Sequence, residues 1–521
     1  MQPRFNLIDE PWIPCIFPNN RIIHLGLLDT LVRAREIREI FHTSPLVVMA
    51  LHRLLLAILH RNFGPETLED WQKLWQRGRW EENQLKNYFA RWHDRFYLFH
   101  PERPFYQVPE MPKAKKHPVQ ILALEAAAGN NTTLFDHNFS DRPLVLPASQ
   151  AACYLLARQS YSIGLGKSHP FYFQDSPLIR GYTVFILGNN LWESLMLNLV
   201  NYNQERPFPH QDQDIPCWEM KRLPDPDKSG NSISGYLSYL TWQSRRIHLI
   251  PEGNPIQVRL CQIQQNLKLP DPTPLDPFKT YSRDEKKGWV AKGLQPERAV
   301  WRDSHALFQK AQNSFRRPGV FDWAARIETL RKNGKIEALK DYRFIVTGVV
   351  TEAGKAANLI LWRQERLPLP LAYLEDKDLL AKLQEALAWA EKAHDLLHQA
   401  LRQVAQEILS PPPRTPDRNE VNRLLQSWAP GRLYWPRLET PFRRLLVELP
   451  EDREEDEEGE PVYGRRSLLA WRGLVADAAR KSFQEVAAGL ENSLRSLKAV
   501  AQVQGVFQTC IIKELLPGGD T

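Results

Sequence analysis

The chain has 521 residues, of which 43% are hydrophobic and 25% are charged. This length exceeds the size at which one hydrophobic core stops growing, so at least two domains are expected, and the composition is that of a globular protein. The formal net charge of +7 is mild for such a length; it permits local basic patches that bind a polyanion but excludes a histone-like charge density.

The N-terminal region indicates a protein of the cytoplasm. The opening MQPRFNLIDEPWIP has no basic segment followed by an apolar one, as a secretory signal would have. The longest apolar run, residues 46–59, is interrupted by His52 and Arg53 and is shorter than the roughly 20 residues that a membrane span needs. We therefore predict a buried helix there, a cytoplasmic location and no membrane association.

The segment NNTTLFDHNFSDRP, residues 130–143, combines amides, threonines and the aromatic residues Phe135 and Phe139 without a helical or strand period. It predicts a loop. Either a partner buries its aromatic side chains, or Phe135 packs against its own domain.

A second loop is predicted at SIGLGKS, residues 162–168. Gly164 and Gly166 allow backbone amides to approach a phosphate, and Lys167 adds a positive charge. The upstream glycine of a nucleotide-hydrolysing phosphate loop is missing. The segment is therefore either a nucleic-acid contact or a flexible turn.

The organisation of the chain changes near residue 375. Before it, short β-branched and aromatic runs such as GYTVFIL and RFIVTGVV alternate with prolines and Trp-containing loops. After it, apolar residues recur at steps of three and four, which predicts a long helix; they are Leu380, Leu383, Leu387, Ala390, His394, Leu397, Leu401, Val404 and Ile408.

The segment SPPPRTPD ends that helix, because proline removes a backbone donor. Further helical patterns cover 417–429, 438–449, 465–488 and 490–505. We predict an α+β fold: a large mixed α/β N-terminal domain with many loops, residues 1–374, followed by a C-terminal four-helix bundle, residues 375–521. The acidic segment 451–460 is expected to be a solvated loop or, alternatively, a docking loop for a basic partner.

Signatures of catalysis and of cofactors are missing from the sequence. His394 and His398 stand one helical turn apart, but the expected Glu is replaced by Asp395 and no third ligand is evident, so a bundle histidine is favoured over a metal pair. Neither a nucleophile elbow nor a Walker motif occurs. The five cysteines contain no C-x-x-C pair, which argues against a disulfide framework and a thiolate zinc site. We predict a non-enzymatic protein with no catalytic residues, no metal and no cofactor.

Five ordered blocks resemble one family, the large subunit of the type I-E CRISPR Cascade surveillance complex (the CasA family). The blocks are FNLIDEPWIP, RFYLFHPERPFYQ (95–107), GNNTTLFDH (129–137), LDPFKTYSRDEKKGW (275–289) and LILWRQERLPLP (359–370). The resemblance covers nearly the whole chain.

The resemblance implies a function and a set of partners. The partners would be the other Cascade subunits, the CRISPR guide RNA, double-stranded target DNA and a helicase-nuclease recruited once the R-loop forms. The protein would read the short protospacer-adjacent motif and open the first base pairs, while base pairing with the guide reads the rest.

The resemblance also implies site residues. The loop that docks onto the complex and the guide RNA corresponds to Asn130, Asn131, Leu134, Phe135, Asp136 and His137. The DNA and motif contacts correspond to Ser162, Gly164, Gly166 and Lys167 in the glycine loop, Lys268 as a lysine finger, and Glu352, Gly354 and Lys355 in the wedge hairpin. Lys279 is a reserve for the finger. The glutamine wedge of the family is absent, and we choose Lys355 in its place because Glu352 would repel phosphate.

Two other classes of function stay open from the sequence. One is a protein-only structural scaffold of a ribonucleoprotein complex. The other, disfavoured by the missing carboxylate and histidine signatures, is a nucleic-acid-processing enzyme.

Overall fold

The computed structural model describes residues 2–125, 144–163, 175–211, 213–310, 312, 314–337, 342–352, 355–409, 416–455, 461–491 and 493–516. The chain forms two compact units. The first comprises Met1–Val300 and Lys310–Arg366, and the second comprises Trp301–Gln309 and Leu367–Thr521.

The helices of the described residues occur in both units. In chain order they are α1 Leu27–Val32, α2 Pro45–Phe63, α3 Leu68–Arg77, α4 Glu82–Trp92, α5 Ala148–Tyr161, α6 Leu191–Asn198, α7 Tyr236–Leu240, α8 Ser304–Phe308, α9 Gly319–Lys332, α10 Lys377–Leu409, α11 Arg418–Trp428, α12 Pro430–Glu451, α13 Ser467–Ala488 and α14 Leu494–Leu515.

The strands form small sheets. They are β1 Arg4–Asn6, β2 Ile13–Ile16, β3 Ile22–Leu25, β4 Glu39–Ile40, β5 Tyr97–Phe99, β6 Lys116–Pro118, β7 Leu146–Pro147, β8 Thr183–Leu187, β9 Arg245–Glu252, β10 Gln257–Gln265, β11 Tyr281–Asp284, β12 Gly288–Ala291, β13 Phe315–Arg316, β14 Arg343–Glu352, β15 Lys355–Pro368, β16 Arg453–Glu455 and β17 Pro461–Tyr463. The sheet orders are β1-β5, β3-β2-β4, β6-β10-β7 with β9 also on β10, β12-β11-β13, β15-β14-β8 and β16-β17. The predicted α+β class is confirmed.

Helix α2 is central to the first unit. Pro45 occupies its first turn, where a missing backbone donor does no harm, and the helix packs against α5, α6, α7 and β14. Within the described residues it is the one helix long and apolar enough to cross a membrane, and 89% of that stretch is buried inside the protein. The predicted buried helix is thus confirmed.

The sheet β15-β14-β8 carries the predicted wedge hairpin. Strands β8 and β14 pair antiparallel, with Phe344 opposite Ile186 and Val346 opposite Val184. All of β8 is buried, as expected for a continuous apolar run in the centre of a domain. The runs GYTVFIL and RFIVTGVV are confirmed as strands.

The second unit is built on four long helices, α10, α12, α13 and α14, joined by the short α11. Leu383, Leu387, Leu397 and Val404 of the predicted seam are buried along α10. Backbone carbonyls of α10 also accept hydrogen bonds from buried side chains of its neighbours: Tyr434 Oη lies 2.8 Å from the Ala390 oxygen, and Trp471 Nε1 lies 2.8 Å from the Ala386 oxygen.

Two helix bounds differ from the sequence prediction. Helix α12 begins at Pro430 instead of 438 and continues through Pro436 and Pro441, because Tyr434 and Leu438 bury a continuous face that offsets the missing donors. Helix α14 spans Leu494–Leu515 and so runs past the predicted end at residue 505.

The division of the chain also differs from the predicted boundary at 374/375. The second unit begins at Leu367 and includes Trp301–Gln309. The Trp301 ring lies 4.6 Å from that of Phe442 between centroids, and the Arg302 guanidinium contacts the Glu391 carboxylate at 2.7 Å. These contacts explain why a segment distant in sequence joins the helical unit.

The acidic segment 451–460 is partly structured. Residues 453–455 form β16, which pairs with β17, and 456–460 lie outside the described residues. The Asp452 carboxylate accepts hydrogen bonds from the backbone nitrogens of Arg466 and Ser467 at 2.8 and 2.7 Å. A solvated loop is therefore the wrong description for its first residues.

Candidate nucleic-acid interface

The predicted glycine loop follows α5. Three of its candidate residues lie outside the described residues: Gly164, Gly166 and Lys167. The fourth, Ser162, is fully buried; its Oγ donates to the Arg158 carbonyl at 2.5 Å, and its carbonyl accepts from the backbone nitrogen and the Oγ of Ser176, both at 3.1 Å. Ser162 therefore ties together the two ends of segment 164–174, and its buried side chain does not lie at the surface, where the DNA contact was predicted.

A buried polar network supports this junction. Ser244 Oγ lies 2.8 Å from Ser176 Oγ and donates to the Gln159 carbonyl at 2.7 Å. The guanidinium of Arg245 donates to the carbonyls of Ile163 at 2.9 Å and Ser244 at 2.7 Å. Burial lowers the pKa of Arg245 to about 9. The network fixes both ends of segment 164–174 to strand β9.

Lys279 forms hydrogen bonds with the backbone just after segment 164–174. Its Nζ donates to the carbonyls of Pro177 at 2.5 Å and Arg180 at 2.8 Å, and only 5% of the residue is exposed. Burial lowers the pKa of this ammonium to about 8. The reserve candidate for the lysine finger is thus a buried anchor.

Lys268, the first candidate for the finger, lies after β10 at the surface. Its backbone nitrogen donates to Asn231 Oδ1 at 3.0 Å, and the Asn231 nitrogen donates to the Lys268 carbonyl at 2.8 Å. The Lys268 Nζ donates to the Lys228 carbonyl at 2.8 Å. Since an ammonium has three N–H donors, two remain for a nucleic-acid acceptor.

Two of the wedge candidates lie at the ends of two neighbouring strands of one sheet. Glu352 ends β14 and Lys355 begins β15, which confirms the predicted hairpin. Gly354 lies outside the described residues, as do the side chains of Glu352 and Lys355. Farther along β15, Ile360 is 53% exposed and Trp362 is 39% exposed, and the two share one face because side chains alternate along a strand.

The predicted docking loop lies between strands β6 and β7 in the sequence. Its candidates lie outside the described residues: Asn130, Asn131, Leu134, Phe135, Asp136 and His137. The flanking strands β6 and β7 both pair with β10, through Leu260 opposite Pro118 and Val258 opposite Leu146, while β9 occupies the other edge. Strands β6 and β7, which precede and follow this segment in the sequence, therefore pair with the same edge of β10.

The family model of CRISPR-associated protein Cse1 matches residues 6–482. The chain belongs to the Cse1 family. The CRISPR-associated protein CasA/Cse1 of Thermus thermophilus is 32% identical over 519 residues, which are 97% of this chain and 96% of that protein. The predicted family resemblance is confirmed.

Solved structures share the fold. The crystal structure of Thermus thermophilus CasA has a TM-score of 0.80 at 29% identity, and the match covers 98% of this chain and all of that one. A chain of a structure described as a CRISPR RNA-guided surveillance complex has a TM-score of 0.76 at 22% identity, covering 97% of this chain and 99% of that chain. At that lower identity the likeness concerns the fold alone.

The histidine pair of this Cse1 chain packs with aromatic residues. The ring centroid of His394 lies 5.1 Å from that of Trp435 and 6.4 Å from that of His398. Burial, followed by the charge of Arg302, lowers the pKa of His394. Among the described residues no group of three His, Cys, Asp or Glu side chains is placed to hold a metal ion.

All five cysteines are free thiols, and most of them are buried. Cys15, Cys153, Cys217 and Cys261 are buried, and Cys510 is half-buried. Burial raises the pKa of the Cys153 and Cys217 thiols to about 12, so they are neutral at physiological pH.

Sequence reasoning missed the residues that position the glycine loop, namely Gln159, Arg245 and Lys279. No sequence signal separates these residues from surface ones, because Gln, Arg and Lys are usually exposed. The exposed Ile360 and Trp362 on β15 were also missed, because they belong to the continuous apolar run 359–362, which does not show which side chains are exposed.

Proposed function

We propose that this Cse1 protein is the non-catalytic large subunit of a type I-E CRISPR RNA-guided surveillance complex. In this proposal it recognises the protospacer-adjacent motif in double-stranded DNA, helps to start the R-loop and recruits the helicase-nuclease. It works in the cytoplasm with the guide RNA and the other Cascade subunits. Family membership supports the assignment to this class of complex.

The observation that carries the DNA-reading part is the anchoring of segment 164–174. The residues that flank it are joined by the hydrogen bond between Ser162 and Ser176. Arg245 and Lys279 donate further hydrogen bonds to the carbonyls of Ile163 and Pro177. A loop whose ends are fixed loses less conformational entropy on binding than a free one. Glycines at Gly164 and Gly166 suit close approach of a backbone to a nucleic-acid groove.

The lysine finger and the wedge supply the remaining DNA contacts. Asn231 fixes the backbone nitrogen and carbonyl of Lys268, and the Lys268 ammonium is held by the Lys228 carbonyl. Minor-groove acceptors are degenerate, which suits tolerance of several related motifs. The hairpin between Glu352 and Lys355 would separate the first base pairs, with Lys355 bound to a phosphate.

The docking role is assigned to the segment between β6 and β7 in the sequence, which carries the block GNNTTLFDH. We propose that Phe135, with Asn130 and Asn131, contacts the neighbouring subunit or an unpaired base of the guide RNA. Stacking of an aromatic side chain on a base contributes roughly 1–3 kcal/mol. The aromatic side chains of segment 130–143 would then be buried by a partner.

The test compares Cascade assembled with and without this chain on duplexes with and without the motif. We expect a motif-dependent electrophoretic shift that requires the chain, weakened by Lys268→Ala and left intact by Lys498→Ala, an exposed lysine of α14. An electrophoretic shift that depends neither on the motif nor on the presence of the chain would favour a protein-only scaffold. Metal-dependent DNA cleavage that follows the pure protein through chromatography would favour an enzyme.

A further inference from the structure

A positively charged loop in the first unit has no part in the contacts assigned above. It has the sequence KAKK, residues 113–116, and its lysines Lys113, Lys115 and Lys116 are all exposed. None of these three side chains forms an ion pair or a hydrogen bond within the described part of the chain. Burial, followed by the charge of Lys115, lowers the pKa of His117. The neighbouring histidine is therefore neutral at physiological pH, and the positive charge belongs to the lysines.

A buried glutamine fixes the backbone of this KAKK loop. Gln262 of β10 is 1% exposed. Its Oε1 accepts a hydrogen bond from the Met111 backbone nitrogen at 2.9 Å, and its Nε2 donates to the carbonyls of Met111 at 2.8 Å and Ala114 at 3.1 Å. The Ala114 nitrogen also donates to the Met111 carbonyl at 2.8 Å. The lysines thus stand on a backbone that is ordered before any ligand binds, which lowers the entropic cost of binding.

The strand register places the KAKK loop toward one end of the sheet of β6, β9 and β10. Lys116, the first residue of β6, lies opposite Gln262, and the two strands run antiparallel. Strand β10 ends at Gln265. The residues that precede Lys116 therefore extend toward the C-terminal end of β10.

The two ends of β10 carry different candidate contacts. At the C-terminal end, Arg245 lies opposite Gln265 and donates to the carbonyl of Ile163, which directly precedes the glycine segment. At the N-terminal end, strand β7, which follows the proposed docking segment, pairs with Gln257 and Val258. The KAKK loop thus lies on the side of the proposed DNA contact and not on the side of the docking segment.

Lys268 extends from that same end of β10. The backbone nitrogen of Asn266 donates to the Ser244 carbonyl at 3.1 Å, and that of Leu267 donates to the Gln243 carbonyl at 3.3 Å. The chain therefore continues alongside the residues that precede β9. From the β10 position opposite the start of β6, Lys268 is at most about 20 Å away at roughly 3.3 Å per residue of extended chain. This distance is about the length of six base pairs.

From this placement we propose that the KAKK loop binds the phosphate backbone of double-stranded DNA beside the motif, on the side that stays paired. The loop offers ammonium groups but no Phe, Tyr or Trp side chain on which an unpaired base could stack. Lysine contacts to phosphates position a duplex without reading its sequence. The inference rests on the proposed function and adds to it a contact outside the motif.

The test uses the assembled complex and two duplexes that carry the motif. One duplex has a long flank on the side of the motif that stays paired, and in the other this flank is trimmed to a few base pairs. The variant replaces all three lysines, Lys113→Ala, Lys115→Ala and Lys116→Ala. On the long duplex we expect the slope of log affinity against log salt to fall by between about 0.9 and 2.7, since each phosphate contact contributes roughly 0.9. On the trimmed duplex the variant and the parent should bind equally well.

Three further variants serve as controls. Lys377→Ala, Lys498→Ala and Lys513→Ala together remove the same charge from exposed positions of the second unit, and this variant should keep the salt slope of the parent. Replacement of the three loop lysines by arginine keeps the charge and should keep the dependence on flank length. Gln262→Leu keeps every ammonium but loses the hydrogen bonds that order the loop, so it should weaken binding of the long duplex only. If Gln262→Leu does not fold, the variants of exposed residues carry the test.

Three results would overturn the inference. The first is a lysine variant that keeps the parent's salt slope on the long duplex. The second is an equal loss of affinity on the long and the trimmed duplex, which would assign the contact to an opened strand or to the guide RNA. The third is failure of the variant to join the complex, which would mean a partner in assembly. Absence of motif-dependent binding by the parent itself would overturn the proposed function as well, so the two failures are distinguishable.

Discussion

The ammonium of Lys279 contributes a pH dependence to the stability of the protein. Burial lowers its pKa from 10.5 to about 8 in the folded chain. Between these two values the unfolded chain binds more protons, so stability rises with pH through this window. We expect the free energy of unfolding to gain about 1.4 kcal/mol per pH unit there from this group. Thermal unfolding of the parent and of Lys279→Met from neutral to alkaline pH measures the gain, which the variant should lack.

Lys268→Met is the matched control for this experiment, because it removes an ammonium that lies at the surface. Its pH dependence should follow that of the parent. At neutral pH Lys279→Met also leaves the carbonyls of Pro177 and Arg180 without their donor, so binding of motif-bearing duplex is expected to weaken. A Lys279→Met variant whose stability changes with pH as the parent's does would show that the ammonium is not buried.

At the scale of elements, the long helix α10 organises the second unit. Leu387 is 4% exposed and belongs to α10, the helix that packs against α12, α13 and α14. An aspartate at this position buries an unpaired carboxylate, so Leu387→Asp should destabilise the helical unit by roughly 3–5 kcal/mol. The neighbouring Ala388 is exposed, and Ala388→Asp should stay within about 1 kcal/mol of the parent. Calorimetry of both variants checks the prediction, and equal melting of the two would mean that the apolar seam is assigned wrongly.

Three glycines of the second unit should respond to alanine in opposite directions. Gly473 in α13 and Gly505 in α14 have open space where a methyl group would be added. Their replacement by alanine should therefore raise stability by about 0.5–1 kcal/mol each. Gly464, at the end of the β16-β17 hairpin, has φ +84°, and an added methyl carbon would lie 2.6 Å from Leu449 Cδ1. Gly464→Ala should lower the melting temperature, and a variant as stable as the parent would contradict the described turn.

The sequence predicted the helices and strands that have a clear apolar periodicity. It missed the helix bounds and the domain boundary that depend on contacts between residues distant in sequence. Helices α2 and α10 and strands β8 and β14 follow directly from their apolar spacing. The start of α12 was missed because prolines are local signals, whereas Tyr434 and Leu438 are buried by tertiary packing. The transfer of Trp301–Gln309 to the helical unit could not be predicted, since no local pattern reports a partner more than a hundred residues away.

The candidate site was also only partly predictable from the sequence. The order of blocks identified the family, and the hairpin between β14 and β15 stands where the sequence placed it. Burial of lysine and arginine is set by the whole fold, so the anchoring roles of Lys279 and Arg245 could not be read from their neighbours in sequence. Lys268 was the first candidate for the finger and Lys279 the reserve, and the structure separates them, since Lys268 lies at the surface and Lys279 is buried.

At the scale of the whole molecule, the proposed nucleic-acid contacts all belong to the first unit: the glycine segment, Lys268 and the hairpin. The second unit contributes a helical core whose stability depends on apolar packing. Substitutions in the two units should therefore have different effects. Charge removal in the first unit should change the salt dependence of binding, and core substitutions in the second should change thermal stability.

The last prediction concerns how the hairpin acts on DNA in the assembled complex. If Lys355 binds a phosphate beside the first target base pair, Lys355→Ala should weaken duplex binding and lower the logarithmic salt slope by about 0.9, the value of one phosphate contact. A target already opened as a bubble next to the motif should restore much of any loss in R-loop formation, because unstacking of a few kcal/mol per step is then no longer required of the protein. R-loop formation on intact and bubbled duplexes at several salt concentrations, for Lys355→Ala beside Lys268→Ala, measures both effects. If only Lys268→Ala has an effect, the hairpin is structural, and motif reading belongs to the lysine finger and the glycine loop.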